Sequence, residues 1–251
     1  MNPSRRNVFG LLAALPAVAG RFEADAQPAP VKKGLMLAPR SKLVMIGDSI
    51  TDSGRARPVG EGRGDAIGRG YVMMVDALLN AVYPEQQIRV VNQGVSGNTV
   101  RDLKARWQTD VLELKPDWVS VMIGANDVWR QYDLPRQTEK HVLIDEYEKT
   151  LEELVQQTLP SVKGVILIGP FYLEPNRQDA MRAAMDRYAA AVKRIADRNK
   201  TLFVDTQIGL DEIMKIYYPA SLNWDRIHPD HIAALAIARA FVNAIGFAWT
   251  R

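Results

Sequence analysis

Five short apolar runs recur along the chain, and each has the length of a β-strand. They cover residues 43–46, 88–91, 118–123, 165–168 and 202–204. A strand with one face in water alternates apolar and polar residues, whereas these runs are apolar almost without interruption. Such runs are typical of strands that are covered on both faces in a parallel sheet. The sequence therefore predicts five buried strands.

Helical periodicity fills most of the intervals between these runs. It predicts helices over residues 71–82, 100–114, 143–159, 181–196, 208–217 and 232–245. Two intervals lack the periodicity and are predicted as loops: residues 53–70, rich in glycine and arginine, and the polar residues 128–141. Strands that alternate with helices predict an α/β fold, a doubly wound parallel sheet with helices on both faces.

A serine follows the first predicted strand, within Gly47-Asp48-Ser49. Open α/β sheets bind ligands at the carboxyl ends of their strands, so Ser49 is a candidate nucleophile. Ile50 and Thr51 come next, so the flanks differ from the Gly-x-Ser-x-Gly of the α/β-hydrolase nucleophile elbow. The alternative interpretation is that Asp48, Ser49 and Thr51 only cap a helix.

Two of the three histidines of the chain lie in one short segment before the last predicted helix. A serine nucleophile needs a base to take its proton, and the base needs a third group to orient it. His228 can be the base and Asp225 the orienting group. The alternatives are a surface ion pair and a metal site of Asp225, His228 and His231, although that set lacks a further cluster of strong ligands. The serine interpretation needs neither a cofactor nor a metal.

An acyl-transfer intermediate carries an oxyanion, which needs preorganised hydrogen-bond donors. The loops after the first three predicted strands can supply the Ser49 N–H, the Gly94 N–H and the Asn126 side-chain amide. Gly94 is chosen because a residue without Cβ permits close approach of the main chain. The alternative is that Gly94 and Gly97 are turn glycines and that Asn126 and Asp127 only form a turn.

Large side chains around the same sheet edge are candidates for substrate contact: Trp129, Tyr132, Trp224 and Arg55. Flat aromatic rings can stack on sugar faces, and the alternative is that half of them are core residues. The arginines and glycines of residues 53–70 do not follow the Gly-x-x-x-x-Gly-Lys pattern of a phosphate-binding loop. That segment is therefore expected to shape the rim of the site or a subunit contact.

Length, charge and cysteine content exclude several classes of protein. A chain of 251 residues without a linker-like segment predicts one domain. The formal net charge of +3 does not favour nucleic acid or an anionic membrane as a partner. The absence of cysteine excludes disulfides and a thiol nucleophile. No segment beyond the N-terminal region is long and apolar enough to predict integral membrane association.

The first 26 residues are typical of an export signal rather than of a folded element. An arginine pair precedes an apolar stretch over residues 8–19, and Ala24-Asp25-Ala26 offers a small-x-small cleavage site. The arginine pair also allows the twin-arginine route. Residues 27–41 would form an N-terminal arm and residues 42–251 the domain. Export predicts a periplasmic or secreted protein, and a non-functional signal would leave it cytoplasmic.

Four blocks together resemble those of the SGNH (GDSL) hydrolases. They are Gly47-Asp48-Ser49-Ile50, Gly94 within residues 92–98, Gly124-x-Asn126-Asp127 and Asp225-x-x-His228-Pro229. The resemblance implies a three-layer flavodoxin-like fold with sheet order 2-1-3-4-5. It also implies that Ser49 is the nucleophile, that Gly94 and Asn126 donate to the oxyanion, and that Asp225 and His228 complete the triad.

Within that superfamily the chain is similar to the bacterial acetylxylan esterases from about residue 43 to residue 249. The resemblance implies a serine esterase whose partner is an acetylated oligosaccharide or polysaccharide, and it leaves a homo-oligomer open. The stretch after His228 lacks a glycine common in this block. One alternative is a lipolytic esterase or thioesterase for longer acyl chains. Another is a non-catalytic carbohydrate-binding protein that kept the fold.

Overall fold

The computed structural model describes residues 34–62 and 64–250. The predicted export segment, residues 1–26, and the first part of the predicted arm lie outside the described residues. The described part of the arm packs on the domain, because Leu37 is 1% exposed and the Met36 N–H donates to the Ile245 carbonyl at 2.9 Å. This part of the arm therefore belongs to the folded domain.

Five parallel strands form one sheet in the order β2-β1-β3-β4-β5. They are β1 Lys42–Gly47, β2 Arg89–Gly94, β3 Trp118–Met122, β4 Gly164–Ile168 and β5 Leu202–Val204. Residues 43–46 of β1 are completely buried, so both faces of the central strand are covered. The predicted doubly wound α/β fold and its strand order are confirmed.

Helices connect the strands and pack in groups around the sheet. They are α1 Ser49–Asp52, α2 Tyr71–Val82, α3 Val100–Trp107, α4 Ala125–Asp133, α5 Ile144–Thr158, α6 Ala180–Asn199, α7 Thr206–Met214, α8 Pro219–Leu222 and α9 His231–Ala244. Helix α9 packs on α2 and α7, whereas α5 packs on α3 and α6. In residues 34–62 and 64–250, no helix combines the length and apolarity that a membrane span needs.

Two predicted elements differ from the structure. The sequence predicts a loop over residues 128–141, but the first part of this segment belongs to α4. The first turn of α4 buries Asn126 and Asp127, so polar residues occupy core positions and hide the helical periodicity. The second difference concerns the helix predicted over residues 100–114. In the structure α3 ends at Trp107, and the chain continues as a π-helical turn over Gln108–Leu112.

The register of the sheet brings three loops to one edge. Gly47 at the end of β1 lies opposite Gly94 of β2 and Met122 of β3. The segments that follow these strands therefore emerge side by side. They carry Ser49, the loop of residues 95–99 and Asn126, and the carboxyl edge of a parallel sheet is where such folds bind ligands.

Candidate active site

Ser49 and His228 are 179 residues apart in the sequence and form a hydrogen bond, with 2.8 Å between Oγ and Nε2. The other ring nitrogen, Nδ1, lies 2.6 Å from Oδ2 of Asp225. An ionised carboxylate only accepts hydrogen bonds, so Nδ1 carries the proton and Nε2 presents its lone pair to the serine hydroxyl. This tautomer is the one that a general base for Ser49 requires.

The Asp225 carboxylate is fixed by its own loop. Its Oδ1 accepts the backbone N–H groups of Ile227 at 2.9 Å and of His228 at 3.0 Å. Burial alone would raise the pKa of Asp225, but the hydrogen bonds from the His228 ring and from these N–H groups outweigh it and lower the pKa below its usual value. Asp225 therefore stays ionised and can stabilise a protonated His228.

Contacts outside the triad hold the loop between α8 and α9. The Leu173 N–H donates to the Arg226 carbonyl at 3.0 Å, and the Asp230 N–H donates to the Leu222 carbonyl at 3.0 Å. Arg226 has a left-handed backbone with φ of 59°, and its guanidinium pairs with Glu174. A non-glycine residue adopts this conformation only where the surroundings enforce it. The loop that carries His228 is therefore held at both ends and in its middle.

The nucleophile begins a single helical turn. Ser49 is the first residue of α1, and the preceding Asp48 caps this helix by accepting the Ile50 N–H at 2.9 Å. The cap was the alternative interpretation of these residues, and the structure shows that Asp48 caps while the Ser49 side chain contacts His228. Among the described residues, the Ser49 N–H has no acceptor, so it is available to a ligand.

Asn126 lies at the start of α4 and is 3% exposed. Its Nδ2 donates to the Asn98 carbonyl at 2.9 Å, and its Oδ1 accepts a bond from Arg130 at 3.3 Å. These two contacts fix which end of the amide is the donor. Because Nδ2 carries two hydrogens, one remains for an oxyanion after the bond to Asn98 is made.

The predicted role of Gly94 conflicts with the structure. The Gly94 N–H already donates to Oδ1 of Asn92 at 2.8 Å, and the residue is buried. A Cβ at this position would stand 2.1 Å from the Asp52 nitrogen, so glycine is required by the packing of α1 on β2. Gly94 therefore shapes the contact between two elements, and its N–H is not available to an oxyanion.

Gly97, on the same loop, has the properties that Gly94 lacks. It is exposed, it has φ of 83°, and its N–H finds no acceptor in residues 34–62 and 64–250. The carbonyl of the next residue, Asn98, accepts a hydrogen bond from the Asn126 side-chain amide. This bond connects the Gly97 loop with the Asn126 donor. The sequence signal for Gly97 is the run Ser96-Gly97-Asn98-Thr99, from which the sequence alone predicts a turn glycine.

Arg55 is held by main-chain groups near the ends of β1 and β2. It is 6% exposed, and its guanidinium donates to the carbonyls of Gly94 at 2.7 Å, Ala56 at 3.0 Å and Pro58 at 2.8 Å. Burial lowers its pKa to about 10, which leaves it charged at neutral pH. Two of its three guanidinium nitrogens, Nε and Nη1, therefore bind main-chain carbonyls and hold residues 55–58 to the end of β2, and contact of Arg55 with substrate stays a prediction.

The aromatic candidates occupy different environments. Trp129 is half-buried, its ring stands edge-on to His228 with centroids 6.1 Å apart, and the Arg130 guanidinium lies 4.4 Å from its centroid. Tyr132 is 41% exposed, and its hydroxyl donates to the Ala180 carbonyl at 2.8 Å. Trp224, next to Asp225 in the chain, is 82% exposed.

Two cavities are lined by chain neighbours of the site residues, although no triad residue lines either of them. One has a volume of about 540 Å³ and is lined by the residues around Trp224, including Glu174, Tyr217, Tyr218 and Arg226. The other has about 260 Å³ and is lined by the residues around Gly97, including Thr99, Arg130 and Lys140. In the described part of the chain, no group of three or more His, Cys, Asp or Glu side chains is arranged to hold a metal ion.

The model of the GDSL-like Lipase/Acylhydrolase family matches residues 45–232, which is more than half of the chain. The chain therefore belongs to this family, as the four blocks predict. The matched region begins within β1 and ends at the start of α9, so it contains Ser49, Asn126, Asp225 and His228.

Comparison with individual proteins narrows the similarity. The chain is 62% identical over 210 residues to an acetylxylan esterase of Geobacillus stearothermophilus, which covers 84% of this chain and 96% of the relative. A crystal structure of that esterase superposes with a TM-score of 0.85 at 60% identity, covering 86% of this chain and 99% of the other. An α/β hydrolase from the metagenome of Lake Arreo has a TM-score of 0.83 at 56% identity, covering 85% and 98%.

Proposed function

We propose that this protein is a serine esterase that removes acetyl groups from acetylated xylan or xylo-oligosaccharides. The observation that carries the proposal is the hydrogen-bonded series Ser49–His228–Asp225 in a chain 62% identical to an acetylxylan esterase. Crystal structures of that relative include catalytic mutants in which a serine, a histidine or an aspartate is replaced by alanine. These are the three residue types of the triad proposed here.

The reaction proceeds through an acetyl-enzyme. Ser49 Oγ attacks the acetyl carbonyl carbon while Nε2 of His228 takes the hydroxyl proton. His228 then gives this proton to the sugar oxygen as its bond to the acetyl carbon breaks, which leaves acetyl on Ser49. A water molecule then attacks the acetyl carbon while Nε2 of His228 takes one of its protons. The bond from the acetyl carbon to Ser49 Oγ breaks, His228 returns the proton to Oγ, and acetate leaves. Asp225 stabilises the protonated ring in both halves.

The oxyanion of each tetrahedral intermediate is placed opposite three donors: the Ser49 N–H, the Gly97 N–H and Nδ2 of Asn126. Gly97 takes the role that the sequence assigned to Gly94, since the Gly94 N–H is bound to Asn92. Loss of one such donor costs about 10²- to 10³-fold in kcat in hydrolases of this kind. Preorganised donors therefore account for a large part of the expected rate.

The substrate is an acetylated oligosaccharide or polysaccharide, held by the aromatic rim. Trp224 and Tyr132 present partly or largely exposed rings, and Trp129 stands against the His228 ring. Exposed rings offer flat apolar faces to sugar rings, whereas polar groups at the cavity edges can bind hydroxyls. Trp129 is assigned to the wall of the catalytic centre, and Trp224 to the sugar platform.

The deciding experiment compares acetylated xylo-oligosaccharides with a chain-length series of nitrophenyl esters. The expected result is release of acetate from the oligosaccharides and much faster cleavage of acetyl than of octanoyl esters. The competing candidate is a lipolytic esterase or thioesterase. It is favoured by 34% identity over 109 residues to the thioesterase 1/protease 1/lysophospholipase L1 of Escherichia coli, a match covering 40% of this chain and 51% of that protein. Faster octanoyl cleavage would select that candidate.

Residues 1–26 are proposed to export the protein. The proposal is supported by the apolar stretch and the small-x-small site of the sequence. Expression of the full chain, followed by cell fractionation and N-terminal sequencing, tests it. Processed protein that begins near Gln27 outside the cytoplasm is expected, and unprocessed cytoplasmic protein would contradict export.

A further inference from the structure

Asp52 is the last residue of α1, one helical turn beyond Ser49, and it is 4% exposed. Its Oδ2 accepts the Ser96 N–H at 3.0 Å, the Ser96 hydroxyl at 2.8 Å and the Arg57 guanidinium at 2.7 Å. Its Oδ1 is buried and has no partner in the part of the chain that the structure describes. One carboxylate therefore connects the helix of the nucleophile with the loop that follows β2.

The residue that Asp52 holds determines the direction of the Gly97 N–H. This N–H belongs to the planar peptide between Ser96 and Gly97, so rotation about the Cα–C bond of Ser96 turns it. Asp52 binds both the main chain and the side chain of Ser96, and Asn126 binds the Asn98 carbonyl beyond Gly97 at 2.9 Å. Apart from its chain neighbours, no atom stands within 4 Å of the position that a Cβ on Gly97 would take, so hydrogen bonds rather than packing hold this peptide. Asn98 is also held by its N–H bond to the Val95 carbonyl at 3.2 Å and by Arg106 at 2.7 Å, which leaves Asp52 as the anchor on the Ser96 side.

Arg57 supplies the positive charge that a buried carboxylate requires. Its guanidinium binds Oδ2 of Asp52 and also donates to the Gly94 carbonyl at 2.9 Å. Burial alone would raise the pKa of Asp52, but the hydrogen bonds from Ser96 and Arg57 outweigh it and lower the pKa below its usual value. Asp52 is therefore ionised at neutral pH, and hydrogen bonds to an ionised acceptor are stronger than neutral ones.

We infer that Asp52, supported by Arg57, is a positioning residue that aims the Gly97 N–H at the oxyanion. The inference rests on the proposed function, since the oxyanion forms only in acyl transfer. A donor that acts on the oxyanion stabilises the transition state more than the bound substrate. Misalignment of Gly97 should therefore lower kcat and leave KM nearly unchanged.

The test uses Asp52→Asn, which keeps the side-chain shape but removes the charge and one acceptor. The expected loss in kcat on 4-nitrophenyl acetate is about 10- to 100-fold, a part of the cost of losing a whole donor. KM should stay within about threefold of wild type, and circular dichroism should be unchanged. The matched control is Asp65→Asn, which makes the same change at an exposed carboxylate that pairs with Arg69. This variant should leave kcat unchanged.

Two further variants decide the question if Asp52→Asn does not fold. Arg57→Ala removes a half-exposed cation, and Ser96→Ala removes only the hydroxyl contact to Asp52. Each should lower kcat about 3- to 10-fold at nearly constant KM. Rates are expressed per active site, counted by phosphonate labelling of Ser49, because a purely structural role would lower the number of active sites or the melting temperature instead.

The outcomes separate the inference from the proposed function. A kcat per labelled site within about twofold of wild type in the folded variants overturns the inference, and so does a fall in kcat matched by an equal rise in KM. Wild-type protein that neither hydrolyses acetyl esters nor reacts with phosphonate at Ser49 overturns the proposed function, and the inference with it.

Discussion

The centre of the site and its aromatic rim hold their side chains in different ways. In the centre, His228 is bonded to Ser49 and Asp225, and Asn126 is bonded to Asn98 and Arg130. At the rim, Trp224 is 82% exposed and Tyr218 is 76% exposed. Hydrogen bonds in the centre fix the geometry in which the ester bond is broken, whereas replacing an exposed ring should change the stability of the fold little. The difference implies that chemistry and substrate choice can be altered separately.

The largest effect is expected for Ser49→Ala, which removes the nucleophile from the centre. Hydrolysis of every ester should fall by at least about 10⁴-fold, because no other group forms the acyl-enzyme. The fold should be kept, since the side chain is partly exposed and carries no packing load. Circular dichroism and kcat measured on the same preparation check both statements. A folded variant with normal turnover would remove Ser49 from the mechanism.

Asn126→Ala should have the next largest effect. It removes one oxyanion donor, so kcat should fall by about 10²- to 10³-fold with a smaller change in KM. The same truncation frees the Asn98 carbonyl, so the melting temperature should be recorded beside the kinetics. Equal losses on acetylated oligosaccharide and nitrophenyl acetate are expected, because both form the same oxyanion. A loss confined to the oligosaccharide would place Asn126 at the rim.

The fold and the Ser49–His228–Asp225 contacts could be predicted from the sequence, but the proposed donor Gly97 could not. Uninterrupted apolar runs predict buried parallel strands, and the segment that contains Asp225 and His228 contains the only clustered histidines. Gly94 and Gly97 lie close together in the sequence, and the sequence pattern alone does not distinguish their roles. In the structure the two differ because the Gly94 N–H is bonded to the Asn92 side chain and because the register of the sheet buries Gly94 against Asp52. Those contacts form only after the sheet is assembled.

Helix α4 and Arg55 show the same limit from the other direction. The polar start of α4 reads as a loop because Asn126 and Asp127 interrupt the apolar pattern, although both are buried. Arginine is usually exposed, yet Arg55 is buried and its Nε and Nη1 donate to main-chain carbonyls, which the sequence does not indicate. Burial of a polar side chain depends on partners from distant segments, and periodicity does not report them.

Two further carboxylates of the centre predict how stability depends on pH. Burial raises the pKa of Asp48 to about 6 and that of Asp127 to about 7, although backbone hydrogen bonds lower both in part. The folded protein then keeps protons that the unfolded chain has lost. Their contribution to stability is complete below about pH 4 and is lost as the pH rises through these two values. The free energy of unfolding should therefore fall between pH 5 and pH 8.

Asp127→Asn tests this prediction because it removes one of the two titrations. Urea unfolding at pH 5 and pH 8 should show a smaller difference between the two pH values than in wild type, by up to a few kcal/mol. The exposed variant Asp65→Asn is the control and should keep the wild-type difference. An unchanged difference in Asp127→Asn would show that the buried carboxylate does not titrate in this range.

The smallest effect, and the sharpest comparison of centre with rim, is expected from two tryptophans. Trp224→Ala should lower kcat/KM on acetylated xylo-oligosaccharides about 3- to 10-fold and leave nitrophenyl acetate within about twofold, because only a sugar chain reaches the exposed ring. Trp129→Ala should lower kcat/KM equally on both substrates, since this ring stands 6.1 Å from the His228 ring and supports it. Leu235→Ala, which truncates an exposed apolar residue of α9, serves as the control. Equal losses on both substrates in Trp224→Ala would show that the exposed ring supports the catalytic loop rather than a sugar. A loss of kcat/KM confined to the oligosaccharide in Trp129→Ala would show that the sugar platform includes Trp129 beside His228.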